Sequence, residues 1–170
     1  NPLFSKDKFT ISNSIRVITE DLNGDLWLGT DTNGVIKFNI TEEIFTTSKI
    51  PEMKALSKNS IKSLFHDPND ILWIGTNGFG LNALDIKNDT VYGFTTTDGL
   101  ANDVIYAILP DAAENLWLSS NKGITKFTPK SSWQKAPDIV NFNNYDGLAT
   151  EFNTGAYFKD ENENLYFGGL

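Results

Sequence analysis

Apolar residues in this chain come in short runs, broken by turns rich in asparagine, aspartate and glycine. Helix signals are weak throughout, and the runs carry β-branched and aromatic residues, so they read as strands. One phrase recurs. "DLNGDLWLGT" runs from Asp21, "DPNDILWIGT" from Asp67, "DAAENLWLSS" from Asp111 and "DENENLYFGG" from Asp160. Aligned on Trp27, Trp73, Trp117 and Tyr166, the copies are separated by 46, 44 and 49 residues. An aspartate stands six residues before each aromatic, and a leucine stands directly before it.

The surrounding segments repeat as well. Upstream lie "SIRVITE" from Ser14, "SIKSLFH" from Ser60, "VIYAILP" from Val104 and "GAYFK" from Gly155. Downstream, a glycine opens "GVIKF" at Gly34, "GLNAL" at Gly80 and "GITKF" at Gly123, and the weaker runs "IFTTS", "VYGFT" and "IVNFN" follow. Four strands per unit at a period of roughly 40 to 50 residues predict a β-propeller blade. The expected fold is therefore all-β: residues 1–170 form a partial β-propeller of about four four-stranded antiparallel blades. Blades pack face to face, which accounts for strands more continuously apolar than a simple alternation. Trp27, Trp73, Trp117 and Tyr166 are expected to wedge between blades. Asp21, Asp67, Asp111 and Asp160 are expected to cap the tight turn after the first strand by accepting turn amides. The recurring phrase is structural on this reading, not catalytic.

Both ends fall inside blades. Lys8 to Ile11, "KFTI", reads as an outer strand without inner strands before it, and Leu165 to Gly169 reads as a second strand without outer strands after it. Three complete blades lie between. Closing the seam within one chain gives four blades, and closing it between two chains gives about eight. Left open, the ends expose apolar faces, so self-association is expected, with a dimer as the leading arrangement.

Charge narrows the partners. The net charge of -8 argues against nucleic-acid phosphates and against an anionic membrane surface, so no nucleic-acid partner and no direct membrane contact are expected. With 39% hydrophobic residues the chain can bury a core. It has no cysteine, which removes thiol catalysis, disulfides and cysteine-bound zinc, and no apolar run approaches the ~18 residues of a membrane span.

The repeat pattern, with "DGL" at Asp98 to Leu100 and Asp146 to Leu148 about twenty residues before the aromatic, resembles the two-component regulator propeller repeat. The stretch "YDGLATEFNTGAYFKDENENLYFGG" from Tyr145 is similar to the last blade of such arrays. The departures are "MKALSKN" from Met53 in place of Asp-Gly-Leu, and Ser119-Ser120 in place of Gly-Thr. The resemblance implies the periplasmic sensor region of a hybrid histidine kinase, responding to oligosaccharides. It also implies a kinase outside this chain and neighbouring blades of a full-length receptor as partners.

Catalytic groups are scarce. The only histidine is His66, at the repeat position shared by Glu20, Pro110 and Lys159, and it reads as a solvent-facing strand end. One histidine without cysteine rules out a histidine-rich metal site, and no G-x-S-x-G nucleophile motif occurs. "DTNGV" at Asp31 and "DENEN" at Asp160 lack the glycine and distal glutamate of a helix-loop-helix calcium loop. No cofactor, metal or catalytic residue is expected. The enzyme rivals are propeller lyases and glycosidases, and the remaining rival is a purely structural array. Sialidases fail because their aspartate stands five residues before the tryptophan and they use three arginines, where this chain has only Arg16.

Strand parity proposes a ligand face. In an up-down-up-down blade, the loops between second and third strands share a face with the blade-to-blade connections. That face holds Asp31, Asn33, Asn77, Phe79, Asn121, Lys122, Asn102, Asp103, Glu151 and Asn153, amides and carboxylates around an aromatic, suited to sugar hydroxyls. Trp133, in a third-to-fourth strand loop, falls on the opposite face and is expected to pack over its own blade's edge.

Overall fold

The computed structural model describes residues 4–5, 14–48, 59–148 and 151–169. Lys8 to Ile11 and Met53 to Lys58 lie outside the described residues. Among the described residues, fifteen strands form four antiparallel sheets, one per repeat. The first blade contains β2 (Ile15–Glu20), β3 (Leu26–Thr30), β4 (Val35–Asn39) and β5 (Ile44–Ser48), and the short β1 (Phe4–Ser5) adds to β5 as a fifth strand. The second blade is β6 (Ile61–His66), β7 (Ile71–Thr76), β8 (Leu81–Asp85) and β9 (Thr90–Phe94). The third is β10 (Ala107–Pro110), β11 (Leu116–Ser120), β12 (Gly123–Thr128) and β13 (Asp138–Phe142). The fourth sheet holds only β14 (Phe152–Lys159) and β15 (Leu165–Gly169). The first strands β2, β6, β10 and β14 stand next to one another in that order, the arrangement of propeller blades around an axis.

The two cores lie between blades. Trp27 of the first blade packs with Ile61, Leu64, Leu72, Ile74 and Leu84 of the second. Trp73 of the second packs with Leu100, Ile105, Leu116, Leu118 and Phe127 of the third. Its ring meets Phe127 edge-on at 5.6 Å. The aromatic wedge is thus a contact between neighbours, and burial follows the presence of a next blade. Trp27 and Trp73 are 1% and 2% exposed, and Tyr166, with no blade beyond it among the described residues, is 52% exposed.

The Gly-Thr pair that ends the phrase has two separate reasons. A Cβ on Gly29 would lie 2.6 Å from Val17 and 2.7 Å from Ile61; one on Gly75 would lie 2.1 Å from the Ser63 hydroxyl and 2.9 Å from the Ile105 carbonyl. The paired first strand of the same blade and the neighbouring blade therefore both approach too closely for a side chain. In the third blade the facing residue on the first strand is Ala107, and the small Ser119 fits opposite it, buried. The threonine hydroxyl closes the following loop. Thr30 and Thr76 each donate to a glycine carbonyl at 2.9 Å and accept an amide, and Ser120 does the same at 3.2 Å and 3.1 Å. The Ser119-Ser120 departure preserves both functions.

The Asp-Gly-Leu motif forms a single 3-10 turn between blades. Asp98 accepts the Thr95 amide at 2.8 Å, Gly99 takes φ 112°, and Leu100 drops into the second core, 4% exposed. Asp146 and Gly147 repeat the first two steps, with Asn143 as cap. One boundary shifts: Val104 to Tyr106, read as strand, precede β10, and Val104 makes only an isolated bridge to Asn77.

Candidate functional site

The aspartates six residues before the aromatics are fully committed. Asp67 accepts the amides of Asn69 and Ile71 at 2.9 and 3.0 Å, and its other oxygen accepts the Trp73 indole at 2.9 Å. Asp21 and Asp111 repeat this with Trp27 at 3.2 Å and Trp117 at 2.9 Å, and Asp160 takes the Tyr166 hydroxyl at 3.1 Å. The bond to the wedge aromatic, which fixes the spacing of six, was not read from the sequence. Burial pushes the Asp21 carboxyl up, but the Lys37 ammonium at 2.7 Å and the turn amides outweigh it and hold it below the usual carboxylate range. Asp111 is likewise pushed up by burial and held low overall by the Trp117 indole and Asn115. These groups are scaffold.

The parity argument brings the ten proposed ligand residues onto one face, and most of their polar atoms serve loops there. The Asp31 carboxylate is held by Arg16 and accepts Ser60 at 2.8 Å, tying the first blade to the second. Those hydrogen bonds, Arg16 first, keep it below the usual range. Asp103 accepts the Thr96 amide at 2.6 Å, and its carbonyl takes the amides of Gly78 and Gly80. Asn102 donates to Asn121 at 2.7 Å and accepts Val104 at 2.8 Å. Asn33 accepts Thr32 at 3.3 Å. Asn77, Lys122, Glu151 and Asn153 are exposed, and the Phe79 ring is 52% exposed. Tyr145, 94% exposed beside the second Asp-Gly-Leu turn, joins this face and was not singled out from the sequence.

Two side chains differ from the sequence reading. Trp133 packs on the neighbouring blade and not on its own edge: it stacks on Tyr92 at 4.1 Å and 9° and donates to Asp85 at 3.2 Å. Asp85 and Tyr92 lie on β8 and β9, the third and fourth strands of the second blade. His66 is not solvent-facing. Its side chain is 2% exposed and bonds Asp70 at 2.9 Å, with Asp70 placed by a left-handed backbone at φ 68°.

His66 lies in a cavity of about 550 Å³ on the face opposite the predicted one. It is lined by the first-to-second strand turns of the first three repeats and, from the fourth, by Lys159 at the end of its first strand. Glu20, His66, Pro110 and Lys159, the last residues of β2, β6 and β10 and of the β14 strand, all reach it. Their shared position in the repeat was the available signal. Among the described residues, no group of three or more histidine, cysteine, aspartate or glutamate side chains could hold a metal ion, and no helix is long and apolar enough to cross a membrane.

Comparison with known proteins adds the following. Residues 55–78 and 99–122 match the two-component regulator propeller model. A 73-residue stretch, 42% of this chain, is 33% identical to histidine kinase P4 of Formosa agariphila and spans 5% of that kinase. Over 95% of its length the chain superimposes on the extracellular domain described as that of a hybrid two-component system of B. thetaiotaomicron, at a TM-score of 0.75 and 26% identity. It covers 22% of that domain. A second such extracellular domain from the same organism gives a TM-score of 0.75 at 24% identity, over 97% of this chain and 23% of that one, a likeness of fold.

Proposed function

We propose that this chain, which carries two-component regulator propeller repeats, is a blade segment of the periplasmic sensor of a hybrid histidine kinase and contributes to recognition of an oligosaccharide. The observation that carries the reading is the superposition of nearly the whole chain, at 26% identity, on an extracellular domain of a hybrid two-component system. The matching stretch of a histidine kinase supports the same assignment. The kinase lies outside these residues, and this segment is not catalytic. Its repeat aspartates are occupied by turn amides and wedge aromatics, and its single histidine is bonded to Asp70.

Signalling then requires a ligand that binds two arrangements of the sensor unequally, since a ligand with equal affinity for both shifts nothing. A propeller suits this, because its rigid blades meet at packed interfaces and its loops cluster at two faces. Titration calorimetry of the chain against an oligosaccharide panel, with chromatography of the products, tests the reading. Binding without turnover is the expected result. Cleavage of any member would replace the sensor with a propeller glycosidase or lyase, and silence across the panel would leave a structural array.

A further inference from the structure

The cavity has three properties that the scaffold does not need. Its size, about 550 Å³, falls within the ~300–1,000 Å³ of small-molecule sites. Its floor is apolar, with Trp73 and Leu116 buried and Phe65 and Pro129 half-buried, while Glu20, Asn69 and Glu114 stand exposed at the mouth. And its lining varies where the repeat is otherwise constant. The turn aspartate is the same in all four copies and the wedge is always aromatic. The position directly before the aspartate reads glutamate, histidine, proline and lysine. Repeated scaffold with unlike cavity residues gives an asymmetric container inside a symmetric fold, and an asymmetric container can orient an asymmetric guest.

The chemistry at the mouth narrows the guest. The Glu20 and Glu114 carboxylates are acceptor-only groups, and neither makes an ion pair or hydrogen bond with another described residue. Asp67 and Asp111 add two more carboxylates, already satisfied by amides and indoles. A sulfated, phosphorylated or uronic ligand would bring its negative charge against these and be rejected by like-charge repulsion. A wholly apolar guest would strip water from the carboxylates and return no hydrogen bond. A sugar ring offers both halves of the match, C–H faces for the apolar floor and hydroxyl donors for the carboxylate mouth. The lysine in the wall is already paired with Glu163.

We infer that this cavity, on the face of the first-to-second strand turns, binds a neutral sugar ring of the oligosaccharide and excludes anionic ones. The inference rests on the sensor reading above and places its ligand contact. Because the guest touches first-strand ends from all four repeats, its binding depends on how the blades are set relative to one another. That dependence is the differential affinity a sensor requires.

Titration calorimetry with this chain decides it. The probes are neutral malto-, xylo- and manno-oligosaccharides, anionic oligogalacturonides and chondroitin sulfate fragments, and spermidine as a polyamine control. The expected result is that a neutral sugar binds, that Glu20→Lys weakens it at least tenfold, and that Phe79→Ala and Lys122→Ala on the opposite face leave it unchanged. Circular dichroism confirms that each variant is folded. Binding that responds to the Phe79 and Lys122 variants but not to Glu20→Lys overturns the cavity site and leaves the sensor reading standing. Preference for an anionic sugar or for spermidine also overturns the site. No binding by any probe removes the sensor reading with it.

Discussion

At the scale of single residues, one carboxylate closes a turn and holds a wedge at the same time. Asp67 ties the amides of its own turn to the indole of Trp73, so the ring that enters the next blade is held by the turn that precedes it. The turn and the aromatic were legible because both repeat at fixed offsets. The bond between them was not, since it follows from side-chain direction across a strand pair. Burial grades the cost of losing each ring. Trp73→Ala should remove a fully packed inter-blade contact and cost roughly 3–5 kcal/mol, whereas Tyr166→Ala at an exposed end should stay within about 0.5 kcal/mol. Urea melts of the two variants side by side check this, and equal losses would show that the wedges do not depend on a following blade. Asp21, at the same repeat position in the first blade, sets an acid limit. The carboxyl of Asp21 sits below its ordinary 3.8 in the folded chain, so the folded state binds this proton less readily than the unfolded one. Its contribution is complete above pH 3.8 and is lost as pH falls through the depressed value. Stability measured against pH should therefore fall below that point, and Asp21→Asn should flatten the fall. An unchanged slope would mean that the Lys37 pair contributes nothing.

At the scale of elements, the strands follow the repeat closely, and the exceptions have local causes. Residues 104–106 drop out of β10 because they turn in from the Asp-Gly-Leu loop, and only Tyr106 reaches Ser119 with its amide. Ser119 replaces glycine where Ala107 makes room. The loop from Pro129 to Pro137 is the case the sequence could not resolve. Strand parity gives its face, but not the blade it touches, since the Trp133 partner Asp85 lies 48 residues away. The loop reaches back over the second blade and adds a stacked aromatic pair to the interface already wedged by Trp73, whose ring lies 6.0 Å from Trp133. Trp133→Ala should cost roughly 1–3 kcal/mol, less than a fully buried tryptophan because the ring is only half-covered. Trp133→Phe keeps a stacking partner for Tyr92 and loses the bond to Asp85, so about 1 kcal/mol is expected. Chemical melts that place both variants within about 0.3 kcal/mol of the parent would show that the loop is passive.

At the scale of the whole molecule, four sheets stand side by side around an axis, each packed on the next. At one end β14 and β15 form a bare hairpin, with Phe158 63% and Tyr166 52% exposed. At the other, the first blade presents Ile15, Ile18 and Leu22 at 44%, 56% and 66%. The interior interfaces show what such faces require: Trp27 and Trp73 become nearly inaccessible once a neighbour is present. In a longer receptor the adjoining blades would cover both ends. We propose that the chain on its own covers them with a second copy, end to end, because an unpaired strand edge beside exposed aromatics is a template for association. The contact is heterologous, one end against the other, so it closes only if the rotation per chain divides a full turn. Two arcs of nearly four blades each satisfy that at about eight blades, within the range of known propellers. Light scattering coupled to gel filtration at micromolar concentration should then give a mass near twice the 18.9 kDa of one chain. Phe158→Lys, which places a charge on the exposed face of the hairpin, should return the mass toward a single chain without loss of β structure. A soluble species of one chain's mass in the parent would show that the faces tolerate water, and steadily growing particles would show that the arcs add without closing.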